Sequence, residues 1–179
     1  MYHGTLQSFD KFDKNKIGSR FCSDNEGFFA ISCPKLASEY AEYEDGLFGS
    51  TPNVIPLFVS LQNPLIIDKH FLKLEGMAEI GIRDCVIDFW DNYQDLILTW
   101  SDEKKSDGVL LIDSSKLKSD EAVMMTVAFH AKQLKSATGN SGSFNPKSAS
   151  LTDSQDLELQ LVNKNEVTDN NHIIRKMKL

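Results

Sequence analysis

The chain has 179 residues, 41% of them hydrophobic, enough for one buried core with a short appendage. A formal net charge of -7 and a pI near 5.1 disfavour non-specific attachment to nucleic acid or anionic membrane, while leaving nucleic acid open as a substrate. Cys22, Cys33 and Cys85 are an odd set without CxxC spacing, which argues against a zinc knuckle or a disulfide framework and for buried free thiols in a reducing compartment.

No apolar run reaches the roughly 18 residues of a membrane span, and the start of the chain lacks the basic-then-apolar order of a signal peptide. The expected location is cytoplasmic, or a host cytosol reached without a recognisable signal. The chain opens on Tyr2-His3-Gly4-Thr5. Glycine after histidine lets backbone approach a flat ligand closely, and the imidazole and hydroxyl supply directional donors and acceptors. From Leu6 to Ser23 the run is polar, anchored by Phe9, Phe12 and Phe21, and reads as a loop over the sheet.

Gly27-Phe28-Phe29-Ala30-Ile31-Ser32 reads as a short buried strand. Pro34 suits a first helical position, and a helix over Lys35–Tyr43 puts Leu36, Ala37, Tyr40 and Ala41 on one face. Val54–Leu61 and Leu65–Ile67 read as strands separated by Asn63-Pro64. Between Asp68 and Lys105, Val86, Phe89, Trp90, Tyr93, Leu96, Ile97 and Trp100 recur at helical intervals, the pattern of one long amphipathic helix after a shorter one, with its aromatics in the core.

Val109–Asp113 and Val123–Phe129 read as further strands. Ala137–Ser150 is rich in Gly, Ser and Asn around Phe144, and the run before it, Lys132 to Asn140, lacks the order of a phosphate loop and is expected to cover a sheet edge. Leu157, Leu159 and Leu161 alternate as in an edge strand, and the remaining tail is polar. His70 and His172 lack partners at metal-ligand spacing, His130 reads as an exposed residue at a strand end, and no metal is expected.

In this order the pieces resemble the ADP-ribosyltransferase superfamily, in the branch of diphtheria-type toxins and poly-ADP-ribose polymerases with a His, a Tyr and a third, usually acidic, residue. The resemblance rests on His3-Gly4-Thr5, on Gly27-Phe28-Phe29-Ala30 followed by Tyr40, and on the later segments Asn63-Pro64-Leu65, Asp107-Gly108-Val109 and Phe129 to Asn140. These look closest to bacterial and phage-encoded members. It implies an α+β fold of split mixed β-sheets around an NAD cleft, a domain over 1–147 with a helical insertion at about 69–105, and a C-terminal extension over 148–179.

The resemblance also implies roles. NAD+ is the substrate; His3 bonds the adenosine-side ribose, the Gly4 backbone pairs with the nicotinamide carboxamide, and Thr5 adds a hydroxyl there. Tyr40 and Phe28 sandwich the nicotinamide ring, with Phe29 beside them. The third position departs from the pattern: counting back four from Phe129 gives Met125, and a thioether neither accepts strongly from a ribose hydroxyl nor stabilises a cation. Three resolutions stay open: Gln133, or after it Glu121, supplies the polar group; the acceptor brings its own carboxylate; or the protein is catalytically silent.

The leading expectation is a mono-ADP-ribosyltransferase acting on a protein acceptor, as a toxin, effector or phage-encoded modifier. A polymerase would need a group that activates the growing ribose hydroxyl. The alternatives are an inactive binding module on the same fold and a transferase acting on nucleic acid.

Overall fold

The computed structural model describes residues 1–6, 8–16, 27–42, 53–77, 86–113, 123–139, 145 and 147–152. Glu121, Phe144, His172 and the alternating leucines Leu157, Leu159 and Leu161 lie outside these residues. The elements run β1 (Tyr2–Thr5), β2 (Phe28–Ile31), α1 (Pro34–Glu42), β3 (Asn53–Val59), β4 (Leu65–Ile67), α2 (Lys69–Leu74), α3 (Val86–Glu103), β5 (Gly108–Ile112), β6 (Met124–Ala128) and β7 (Leu134–Ser136), with single 3₁₀ turns at Lys14–Lys16 and Ala131–Gln133.

The strands form one mixed sheet of order β4-β5-β6-β2-β1-β3-β7, in which only β4 and β5 are parallel. The expected pair of split sheets is therefore a single sheet with one weak seam. β1 meets β3 through four residue pairs, Tyr2↔Pro56 to Thr5↔Asn53, and β2 meets β6 through four, Phe28↔Ala128 to Ile31↔Met125. Between β1 and β2 there is one, Tyr2↔Ile31.

Strand alternation sorts the core onto the two faces of this sheet. On one face Ile31, Met125, Val127, Val109 and Leu111 pack under α1, α2 and α3, with Trp90, Ile97, Trp100 and Leu72. The strip of Val86, Phe89, Trp90, Ile97 and Trp100 is buried, as its helical spacing requires, and each side chain of Ile or Phe size withdrawn from water contributes roughly 1.5–3 kcal/mol. α3 bends at Tyr93, whose φ of -130° and ψ of 15° leave the helical region. α2 is capped by Asp68, whose carboxylate accepts from Phe71 N, satisfying a first-turn donor. Among the described residues no helix is long and apolar enough to cross a membrane.

On the other face Phe12, Phe28, Ala30, Leu57, Ala128, Leu134 and Leu151 form a second cluster. Leu134–Ser136, within the run expected to cover a sheet edge, is itself the edge strand beside β3. Residues 148–152, at the start of the expected C-terminal extension, lie against this face. Ser136 N donates to Leu151 O at 2.8 Å, Leu151 N to Asp10 O at 2.8 Å, and Lys11 bridges Ser150. The buried Lys135 donates through Nζ to Ser148 O at 2.9 Å and Ser150 O at 2.6 Å, so a charge taken out of water is met by carbonyl oxygens.

Candidate active site

The phase of the β1–β3 ladder decides what β1 presents to the seam. Met1 N donates to Leu57 O and Leu57 N to Met1 O, so Met1 and Leu57 are a mutually bonded pair. Bonded and non-bonded pairs alternate along an antiparallel ladder. His3 and Thr5 therefore turn their N–H and C=O towards β3, while Tyr2 and Gly4 turn theirs towards β2. Tyr2 meets Ile31 there; Gly4 and Phe29, which would form the next bonded pair, are not paired. At Gly4 a donor and an acceptor of the main chain face a gap in the sheet.

His3 spans that gap. Its Nδ1 lies 2.8 Å from Phe29 O, and because a carbonyl oxygen only accepts, Nδ1 carries the hydrogen. The neutral ring then has Nε2 as its acceptor nitrogen. Phe9 and Phe12 hold the imidazole edge-on, at centroid distances of 5.9 and 5.0 Å. The side chain takes a carbonyl that a continuous ladder would have given to Gly4, and the seam stays open.

Gly4 is required, but for a reason other than ligand approach alone. A Cβ built on it would lie 1.8 Å from Ala37 O, so α1 rests directly on the main chain of β1. That contact brings Tyr40, one turn further along α1, over the seam.

A cleft open to solvent lies here. Tyr2, His3 and Gly4 of β1, Phe29, Ala30 and Ile31 of β2, and Leu36, Ala37 and Tyr40 of α1 line it, with Met125 of β6 and Ile87, Trp90 and Asp91 of α3. The lining follows the usual rule of apolar walls with few polar groups. Phe29 packs edge-on against Trp90 at 5.3 Å, so the ring from β2 is braced by α3.

Of the residues singled out from sequence, His3, Gly4, Phe29 and Tyr40 line this cleft. Three others do not. Phe28 points to the opposite face, where it is 6% exposed and packs against Phe12 at 5.0 Å; neighbours on a strand face opposite ways, so Phe29, not Phe28, is the β2 ring available to a ligand. Thr5 is buried at the end of β1, on the same side as His3, and does not line the cleft.

Gln133 lies away from the cleft. Its Oε1 accepts from His130 N at 2.8 Å, and its Nε2 donates to Asp107 O at 2.8 Å and to Asp107 Oδ2 at 3.1 Å. The Asp107 carboxylate also accepts from Gln62 N and Asn63 N. The buried amide ties the turns before β4, β5 and β7 together, and its hydrogen-bonding capacity is spent there. His130 is exposed, and its pKa is lowered, chiefly by partial burial and then by Lys14 and Lys132.

Met125 faces the cleft and is 3% exposed, so the position expected to carry an acid is an apolar part of the wall. Among the described residues the acid that does line the cleft is Asp91 of α3, which the sequence pattern did not single out. Its side chain is exposed, and partial desolvation, then the neighbouring Asp88 carboxylate, push its pKa up from the ordinary value. The signal was its place one residue after the buried Trp90, on the same turn.

Comparison with known families puts the chain in the ADP-ribosyltransferase superfamily. More narrowly, residues 1–144 match the family described as ADP-ribosyltransferase in polyvalent proteins, and the chain belongs to that family. No curated protein and no solved structure matches it. ADP-ribosyl transfer is the activity of such a family, and NAD+ is the substrate ADP-ribosyltransferases consume.

Proposed function

We propose that the chain is a mono-ADP-ribosyltransferase that binds NAD+ in the cleft between β1, α1 and α3, releases nicotinamide and transfers one ADP-ribose to a protein acceptor. The observation that carries this reading is the edge of Gly4. Its N–H and C=O, turned into the gap, match the acceptor and donor of a primary carboxamide. Tyr40 and Phe29 flank the same gap and supply faces for a pyridinium ring. The Nε2 of His3, with its tautomer set by Phe29 O, accepts from a ribose hydroxyl.

Apolar Met125 supports single transfer, since chain growth needs a group that activates the last ribose hydroxyl. The net charge of -7 favours a protein acceptor over nucleic acid. An acceptor in a host cell, reached as a toxin, effector or phage-encoded modifier, belongs to the same reading. One observation favours the alternative of an inactive binding module: the apolar Met125 wall.

The test is NAD+ binding by calorimetry together with nicotinamide release and a mass gain of one ADP-ribose on acceptor proteins. His3→Ala is expected to abolish release and transfer. Absence of NAD+ binding at millimolar concentration would overturn the proposal; binding without release would select the inactive module.

A further inference from the structure

We infer that Asp91, on the insertion and not on the sheet, is the anion that stabilises the reacting ribose in this cleft. The inference rests on NAD+ being the ligand. When the bond between ribose C1′ and the pyridinium nitrogen breaks, its electron pair passes to that nitrogen, nicotinamide leaves neutral, and positive charge develops on C1′ and the ring oxygen. A nucleophile on the acceptor, or water, donates the pair that forms the new C1′ bond, and its proton passes to solvent. A nearby carboxylate lowers the barrier by opposing that charge and accepting from a ribose hydroxyl, and stays a carboxylate throughout.

Among the residues lining the cleft, Asp91 alone carries a carboxyl group. Ile31, Leu36, Ala37 and Met125 make much of the wall apolar, and Asp91, itself exposed, puts a charge at the mouth of that wall, where water screens it only from one side. Its direction is built in. Ile87, Trp90 and Asp91 stand at i, i+3 and i+4 on α3, the spacing of one helix face, and Trp90 is 1% exposed and locked against Phe29. With Trp90 fixed, the main chain of Asp91 is held at the cleft and its exposed side chain stands at the mouth.

The bend at Tyr93 separates this first part of α3 from the second, which Ile97 and Trp100 anchor in the core. Asp91 is thus aimed by its own short segment. Among the described residues no salt bridge to Asp91 satisfies its charge, and Asp88 adds a second negative charge one turn earlier.

The test measures nicotinamide release and NAD+ affinity for the full chain and three variants. Asp91→Asn is expected to lower kcat roughly 10²- to 10³-fold, as loss of one stabilising group does, with the Kd for NAD+ changed by less than about threefold. Asp88→Asn is expected to keep kcat within about threefold. Adding Met125→Glu to Asp91→Asn is expected to recover part of the lost rate, by placing a carboxylate on the facing wall.

If the wild type binds and cleaves NAD+ while Asp91→Asn has unchanged kcat, the inference fails and the NAD+ reading stands; a raised KM at constant kcat also overturns it. If the wild type neither binds nor cleaves NAD+, the NAD+ reading fails and takes this inference with it.

Discussion

Replacing Gly4 by alanine isolates the contact on which the cleft is assembled. The new Cβ would stand 1.8 Å from Ala37 O, 2.8 Å from Ala37 C and 3.3 Å from the Ala41 Cβ. Real Cβ atoms stay beyond 3.0 Å, so α1 has to withdraw by about 1.2 Å, the difference between that limit and 1.8 Å. The obstacle is helix backbone, which cannot rotate aside as a side chain can. Overpacking of one methyl ordinarily costs about 1–3 kcal/mol, and a rigid neighbour puts this site at the upper end, about 3 kcal/mol.

For a domain of this size each kcal/mol lowers Tm by roughly 2–4 °C, so thermal unfolding of Gly4→Ala is expected about 6–12 °C below wild type. Because Tyr40 rides on α1, NAD+ affinity is expected to fall at temperatures where the variant is still folded. A Tm within about 2 °C of wild type would refute the claim that α1 rests on the main chain of β1.

The adjacent aromatics of β2 give a paired prediction: Phe28→Ala is expected to cost about 3–5 kcal/mol of stability, measured by urea unfolding, with NAD+ affinity kept, whereas Phe29→Ala weakens NAD+ binding; the reverse order would invalidate the assignment of faces. Lys135→Met leaves Ser148 O and Ser150 O without their buried donor, at roughly 1–3 kcal/mol per unsatisfied group, and limited proteolysis is expected to cut near residues 147–152 faster than in wild type.

Asp91 gives a pH-dependent prediction. Its folded pKa is raised above the unfolded 3.8, so the stability it contributes is present below that value and is lost as pH rises through the folded pKa. Asp91→Asn is therefore expected to raise Tm at pH 7 by an amount that shrinks towards zero below pH 3.8. An equal gain at both pH values would contradict the assigned cause. Substituting Gln133 by alanine frees the Asp107 turn, and nicotinamide release is expected to survive in the folded fraction, since the amide touches no cleft residue.

Local pattern carried the elements well wherever burial follows a period. Leu36, Ala37, Tyr40 and Ala41 mark α1 because one face of a helix must be covered, and Val86 to Trp100 mark α3 for the same reason. That His3 and Gly4 would stand together at an opening was legible because they are neighbours on one strand. Which of Phe28 and Phe29 faces the cleft was not legible, since the phase of β2 is fixed by β6, nearly a hundred residues later.

β7 escaped notice because Leu134-Lys135-Ser136 is short and carries a lysine, a residue that is rarely buried unless bonded, as it is here. Gln133 resembled a site residue because a polar side chain after a strand looks available until the turn of Asp107 is folded against it. Asp91 carried only a faint signal for a related reason: on an amphipathic helix an acid beside the buried face is ordinary, and only the docking of α3 brings it to the opening.

The seam beside β1 has a mechanical corollary. Every other junction in the sheet is stitched by three to five residue pairs, whereas β1 and β2 share a single one. A force that wedges the molecule apart will be relieved there first, with little main-chain bonding sacrificed. What holds the two sides together is then side-chain contact across the seam, His3 on Phe29 O and Phe28 packed with Leu57 and Leu134, so the resistance to opening rests on those few groups.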